Sequence, residues 1–363
     1  MLRKSVTLSL QEEVDIIKAK KGFAISLSNP SFNPRDLDSV DLKKFNLQGL
    51  LSGENKLKEI AKNKLFNNWK INNNKIKNEV LITNGAKAAL YCIYRALSTK
   101  NRNFGVINPN WPTYDDLIKL SGAKPFYFNT ELSENFDINL DKLKSFIIKN
   151  KIGVLTISSP NNPCGKIYTQ EIVDQLINIC SSNNCYLVID ESFSALTFKK
   201  EFKNIVRSFN YKYVIIVNSF SKNFHLQGLR LGAILAKKNL IDLFTNIHIA
   251  INGAPNNISQ YLISKFSSKL LHTANLNEKK NIVTSFLKSK NVEFYDPDGS
   301  FYLFPKIKNK AKFIKLSKNN GLFYLPGESF GSNIYKNHYR FCFEKKLIEL
   351  NKIIKIMEKN EIY

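Results

Sequence analysis

From residue 80 onward the chain alternates short apolar, β-branched runs with amphipathic stretches. The runs fall at 80–83, 104–107, 153–158, 185–190, 213–218 and 231–236, the first five closed by Asn, Ser or Asp. Runs of this length and composition predict buried strands. Helical spacing appears between them, over 88–97 and 170–182. Strand–helix alternation is the mark of a parallel sheet with crossover helices, so the fold class predicted is α/β. Outside this block the pattern predicts helices over 12–21, from Gly53 to 61, over 239–248 and 258–271, and a final amphipathic helix over 347–358. Further strands are expected at 292–295, 301–304, 322–325 and 339–343.

A chain of 363 residues is long enough for one large domain with a smaller appendage, or for two domains. No apolar run approaches the ~20 residues that span a bilayer, so no membrane partner is expected. Residues 1–10 are basic but lead into Gln11-Glu12-Glu13 without an apolar core, which predicts no secretory signal. Five cysteines, an odd number without a tight framework, predict a reducing, cytoplasmic setting. Cys180 and Cys185 lack close Cys or His companions, and no metal is predicted. A net charge of +24 invites a nucleic-acid reading. Only seven of the 54 basic residues are arginines, however, and none cluster, which tells against a groove reader. The basic field favours anionic substrates instead.

The chemistry concentrates at Ser219-Phe220-Ser221-Lys222, directly after the 213–218 run, with Gly228-Leu229-Arg230-Leu231-Gly232 beyond it. A part-buried lysine loses solvation, its pKa falls, and its amine becomes a nucleophile toward a carbonyl. Ser219, Ser221 and Arg230 are suited to hold a phosphate beside it. In so lysine-rich a chain, the competing reading is a solvated side chain. Asn84-Gly85-Ala86-Lys87 turns into a helix whose free N–H groups and dipole favour an anion. Trp111 stands at a strand exit between Pro109 and Pro112, where an aromatic plate can stack on a ring. Asp190 ends an apolar strand and Arg340 interrupts an aromatic one; each is costly to bury without an opposite charge.

In order and spacing these stretches resemble the pyridoxal-phosphate enzymes of the aspartate aminotransferase fold, over roughly residues 25–345. The resemblance implies a fold-type I transferase. Its large cofactor domain, with a mostly parallel, seven-stranded-type sheet, is expected over 46–250. A small α+β domain is expected from both termini, 1–45 and 251–363. It also implies that pyridoxal 5′-phosphate joins Lys222, with its phosphate held by Gly85, Ala86, Lys87, Ser219, Ser221 and Arg230. Trp111 would stack on the ring, Asp190 would pair with its pyridinium nitrogen, and Asn162 would donate its amide to the phenolic oxygen. Arg340, with Asn29 and Asn162, would bind the substrate carboxylate.

Several positions depart from the pattern. Ser28 replaces a glycine, Gln48 and Phe193 replace tyrosines, Cys164 replaces a threonine, and Gln227 stands where Ala or Pro is usual. The implied activity is amino transfer between an amino acid, phosphorylated or otherwise anionic, and a 2-oxo acid, by a homodimer. The histidinol-phosphate aminotransferases are the nearest look-alikes. A decarboxylase of the threonine-phosphate type is the alternative, with Phe193 as its motive. A non-catalytic nucleic-acid-binding protein is a remote third.

Overall fold

The computed structural model describes residues 5–30, 49–70, 79–100, 102–199, 207–208, 212–266 and 275–363. Seven strands form the central sheet. Their spatial order is Val80–Thr83, Gly232–Leu235, Val214–Ser219, Tyr186–Asp190, Val154–Ser158, Asn103–Asn108 and Lys124–Asn129. Gly232–Leu235 runs antiparallel to both neighbours, and every other pairing is parallel. Side chains alternate between the faces, as strand geometry requires. Leu155, Leu187 and Ile216 pack under the helices Asn55–Lys64, Leu140–Lys149 and Gln170–Ser182. Val154, Val188 and Ile215 pack under Ala86–Leu97, Thr113–Leu120 and Lys238–Asn252. With both faces covered, the inner strands carry apolar runs rather than alternation.

Register aligns the chemistry. Ser158 pairs with Asp190, and Asp190 with Val217, so Ser158, Asp190 and Ser219 emerge together at the carboxyl ends of adjacent strands. Open α/β sheets bind ligands at that edge. Gly53 (φ +91°) shapes the approach to the sheet: a Cβ there would fall 2.4 Å from Ile82, so only glycine fits.

Both termini build the second layer. Ile25–Ser26 pairs with Leu322–Phe323, and Leu10 and Val14 share a cluster with Leu325 and Phe330. Leu27 packs with Phe301, Leu303 and Phe341 beside a three-stranded sheet of Tyr302–Leu303, Tyr339–Cys342 and Leu325–Pro326.

The structure amends several boundaries. The first helix runs Val6–Lys21 rather than from residue 12, because its β-branched first turn hides the helical period. Residues 292–295 form no strand. Helix Asn257–Phe266 packs Ile263 into the cluster under the central sheet. Its Gln260 Oε1 also accepts the Glu54 N–H at 2.8 Å. Leu276, Val283 and Leu287 share the cluster that holds Phe301 and Phe341. Residues 267–271 of the expected helix, and Gln48, lie outside the described residues.

Candidate active site

Ser219 closes its strand and caps the four-residue helix Phe220–Asn223, its Oγ accepting the Ser221 N–H at 3.1 Å. Two buried asparagines brace this turn. Asn223 Nδ2 donates to Asn218 Oδ1 at 2.7 Å, and Asn223 Oδ1 accepts the Ala195 N–H at 2.9 Å, tying the lysine turn to the chain just past Asp190. Lys222 then faces a cavity of about 490 Å³ at the junction of the two domains. Burial first, then the charges of Arg340, Arg230 and Lys87, hold its amine down to about 8. A lysine so placed is a nucleophile near neutral pH.

Asp190 is 4% exposed and lines the same cavity. Its Oδ1 accepts the Ser192 N–H at 3.0 Å and its Oδ2 the Tyr114 hydroxyl at 2.7 Å. Burial raises its pKa and these hydrogen bonds oppose the rise. At the other end, Arg230 Nη1 reaches Ser221 Oγ at 3.4 Å and the Gln227 carbonyl at 3.1 Å. Gly85 (φ +90°) precedes helix Ala86–Leu97, and a Cβ there would fall 2.7 Å from Arg230 Nη2. Glycine therefore lets the guanidinium rest against the helix N-terminus, where free N–H groups and two hydroxyls converge. Trp111 lies beside this corner, with Lys87 Nζ 5.5 Å from its ring centre.

Arg340 is 2% exposed. Nη1 donates to Asn162 Oδ1 and Nη2 to the Ser28 carbonyl, both at 3.0 Å, while Nε has no partner. The guanidinium lies 4.2 Å from the Tyr302 ring centre and 5.3 Å from that of Phe330. An orphan buried N–H on a cation marks a place for an anion. Asn162 gives its oxygen to Arg340, which leaves its amide hydrogens for the cavity. The Ser28 departure is structural: its hydroxyl donates to the Arg340 carbonyl at 2.7 Å and accepts the Leu325 N–H at 2.9 Å.

Lys222, Asp190, Ala86, Lys87, Trp111, Asn162, Ser219, Ser221, Arg230 and Arg340 all line one cavity, and Gly85 abuts it through Arg230. Asn29 does not join them. Its amide donates to Gln11 Oε1 at 2.7 Å, and the Ser28 carbonyl takes the place beside Arg340. Cys164 is buried behind the site, bonded to Asn161, and burial pushes its thiol up to about 12. Sequence reasoning passed over Tyr302, Thr113, Ser192 and the helix start at Ser5, Thr7 and Leu8, all of which line the cavity. Nothing local marks them, because the folding back of the small domain brings most of them in.

The residues fit a phosphorylated pyridine aldehyde: an amine for the aldehyde, a buried carboxylate for the ring nitrogen, and an Arg–Ser–Gly corner for the phosphate. A reactive lysine at the carboxyl edge of such a sheet, facing that carboxylate, defines a fold-type I transferase of the aspartate aminotransferase fold. More particularly, the chain belongs to the family Aminotransferase class I and II, which matches residues 40–355. The aspartate aminotransferase of Thermotoga maritima is 30% identical over 259 residues, 69% of this chain and 68% of that one. A crystal structure of aspartate aminotransferase from that organism superposes with a TM-score of 0.86 at 25% identity, over 99% of this chain and 97% of the other. The (5-formylfuran-3-yl)methyl phosphate transaminase of Methanocaldococcus jannaschii is 24% identical over 344 residues, 90% of this chain and 88% of its own. The family uses pyridoxal phosphate, and the chain is an aminotransferase. These relatives do not favour the decarboxylase alternative, and they do not single out the histidinol-phosphate or threonine-phosphate branch. Among the described residues, no helix is long and apolar enough to cross a membrane.

Proposed function

We propose that this enzyme holds pyridoxal 5′-phosphate on Lys222 and transfers an amino group between an amino acid with an anionic side chain, such as aspartate, and a 2-oxo acid. The charge of the cavity lining carries this reading. Four cations, Lys87, Lys222, Arg230 and Arg340, face the single carboxylate of Asp190. Arg230 is matched by the cofactor phosphate, Arg340 by the substrate α-carboxylate, and Lys222 by the cofactor aldehyde. Lys87 remains, with its pKa lowered by burial and by Arg230, for a second negative group on the substrate. The names of the aspartate aminotransferase relatives agree with this.

When bound, the cofactor supplies a ring that accepts the electron pair released at Cα. The protein's own groups do the rest. Lys222 Nζ would take the proton from the substrate Cα and hand it back. Asp190 keeps the ring nitrogen protonated. Arg340 grips the α-carboxylate through Nε and its remaining N–H groups, which sets the angle at which the Cα–H bond is presented. Asn162 donates to the ring's phenolic oxygen. Ser5, Thr7 and Leu8, at the start of helix Val6–Lys21, line one side of the cavity.

Lys87→Ala should raise KM for dicarboxylic amino acids roughly tenfold to a hundredfold, the worth of one hydrogen bond to a charged group. KM for an amino acid with an apolar side chain should stay within about twofold, since uniform binding is untouched. Equal change for both substrates, or none, would remove Lys87 from substrate recognition.

Phe193 lines the cavity edge-on to Phe301 at 5.2 Å and Tyr302 at 5.8 Å, and brings no donor to the ring oxygen. Phe193→Tyr adds one. Donors to that oxygen stabilise its anion, so the titration midpoint of the holoenzyme's visible band should fall. An unchanged or raised midpoint, in matched buffer and salt, would mean that residue 193 does not face the cofactor.

We also infer a cytoplasmic homodimer. All five cysteines are free and buried, in keeping with a reducing compartment. Leu50, Leu51 and Ile258 are each about half exposed, an apolar patch that a second copy would cover.

A further inference from the structure

Tyr114 stands directly behind Asp190. It sits in the first turn of helix Thr113–Leu120, 1% exposed, and its hydroxyl donates to Asp190 Oδ2 at 2.7 Å. The other carboxylate oxygen is taken by the Ser192 N–H at 3.0 Å. A donor on each oxygen fixes the plane of the carboxylate and spreads its charge. Tyr94 and Thr156 share a hydrogen bond at 3.0 Å, while Ser158, whose Oγ donates to the Pro160 carbonyl at 3.0 Å, also hydrogen-bonds the Tyr114 hydroxyl and helps to aim it at Asp190. Trp111 meets the Tyr114 ring edge-on at 5.6 Å, so the plate beside the cofactor site and the phenol behind Asp190 hold one another in place. No cation is hydrogen-bonded to Asp190 among the described residues.

We propose that Tyr114 is a positioning residue that sets how far the proton of the cofactor's ring nitrogen is shared with Asp190, and thereby how strongly the bound ring withdraws electrons. This rests on the reading of the cavity as a pyridoxal-phosphate site. A hydrogen bond to an ionised acceptor is roughly twice as strong as one between neutral groups, so the phenol takes up a good part of the carboxylate's basicity. A carboxylate so engaged competes less for the next proton, which then stays on the ring nitrogen. Without the phenol, Asp190 becomes the stronger base and the proton moves toward it along the same N–H···O line. No proton is gained or lost; only its position changes. Burial holds the phenol of Tyr114 far above its ordinary pKa, so it serves as a donor and does not ionise.

The test uses holoenzyme reconstituted with pyridoxal phosphate labelled with nitrogen-15 in the ring. Tyr114→Phe keeps the aromatic packing and removes only the donor. Its ring-nitrogen resonance should move toward the unprotonated value. kcat should fall about tenfold with KM little changed, the mark of an interaction realised in the transition state. The isotope effect with α-deuterated substrate should grow as proton removal slows. Incorporating 3-fluorotyrosine at position 114, a stronger donor, should move the resonance the opposite way, and it decides the matter if Tyr114→Phe does not fold. A resonance and isotope effect identical in the parent and in whichever of these variants folds would reduce Tyr114 to packing and overturn the proposal. Borohydride trapping keeps the two readings apart. An adduct on Lys222 in parent and variant upholds the cofactor site whatever Tyr114 does, whereas no adduct in the parent removes both.

Discussion

Lys222→Ala should lower kcat by at least about four orders of magnitude, the upper end of what a positioned proton-transfer group contributes, while the protein still folds. No other side chain in the cavity can replace it. The guanidinium groups of Arg230 and Arg340 are engaged with Ser221, Gln227, Asn162 and Ser28, and Lys87 is held over the Trp111 ring. In the parent, borohydride should bleach the chromophore and leave the reduced adduct on Lys222. An adduct on another lysine, or no cofactor after reconstitution, would sink the assignment. Stability gives an independent check. The folded-state pKa of Lys222 is depressed to about 8, so between there and the ordinary lysine value the unfolded chain binds more protons. The apoprotein should gain stability as pH rises through that window, and below about 8 the buried charge should exert its full cost. Apo Lys222→Ala at pH 7 should therefore melt no lower than the apo parent, and it should lack this part of the pH slope.

The central sheet was legible because strands buried on both faces must be apolar at every position, and the runs ending at Thr83, Asp190 and Ser219 are. Lys124–Asn129 escaped notice for the same physical reason. It lies at one edge of the sheet and, unlike the buried Val80–Thr83 at the other edge, is half exposed and polar at its ends, so its sequence carries no buried run. Charged residues that end or interrupt apolar strands were legible as well, since Asp190 and Arg340 each needed a partner. What could not be read was anything set by distant packing. Asn29 follows Ser28 in sequence, yet the Arg340 guanidinium takes the Ser28 carbonyl and leaves Asn29 to Gln11. Tyr302 reaches the cavity only because its strand pairs with Tyr339–Cys342, a contact between residues about forty apart that no local period announces. The bond from Tyr114 to Asp190 likewise depends on a helix packing back over the sheet.

Arg340→Lys should raise KM for every amino-acid substrate by about a hundredfold, with cofactor affinity little changed. The substitution keeps the charge and loses the planar fork. In the parent, two arms of that fork are already spent, on Asn162 and on the Ser28 carbonyl, and this orients the remaining N–H groups toward the cavity. A lysine ammonium is a point charge that cannot hold both anchors and still present a two-pronged face to a carboxylate. Losing one or two charge-assisted bonds, each ~1.5–3 kcal/mol, accounts for the expected size. The guanidinium also stacks on Tyr302, and a shorter-reaching ammonium loses that contact, so the lysine would be held loosely as well as mismatched. The phosphate corner should not notice the change, because Arg230 bonds Ser221 and the Gln227 carbonyl whereas Arg340 bonds Asn162 and the Ser28 carbonyl. Equilibrium dialysis of pyridoxal phosphate beside substrate titrations of the holoenzyme separates the two affinities. Substrates bound by Arg340→Lys as tightly as by the parent would mean that the α-carboxylate lies elsewhere, and the orphan Nε of Arg340 would then need a different anion to explain it.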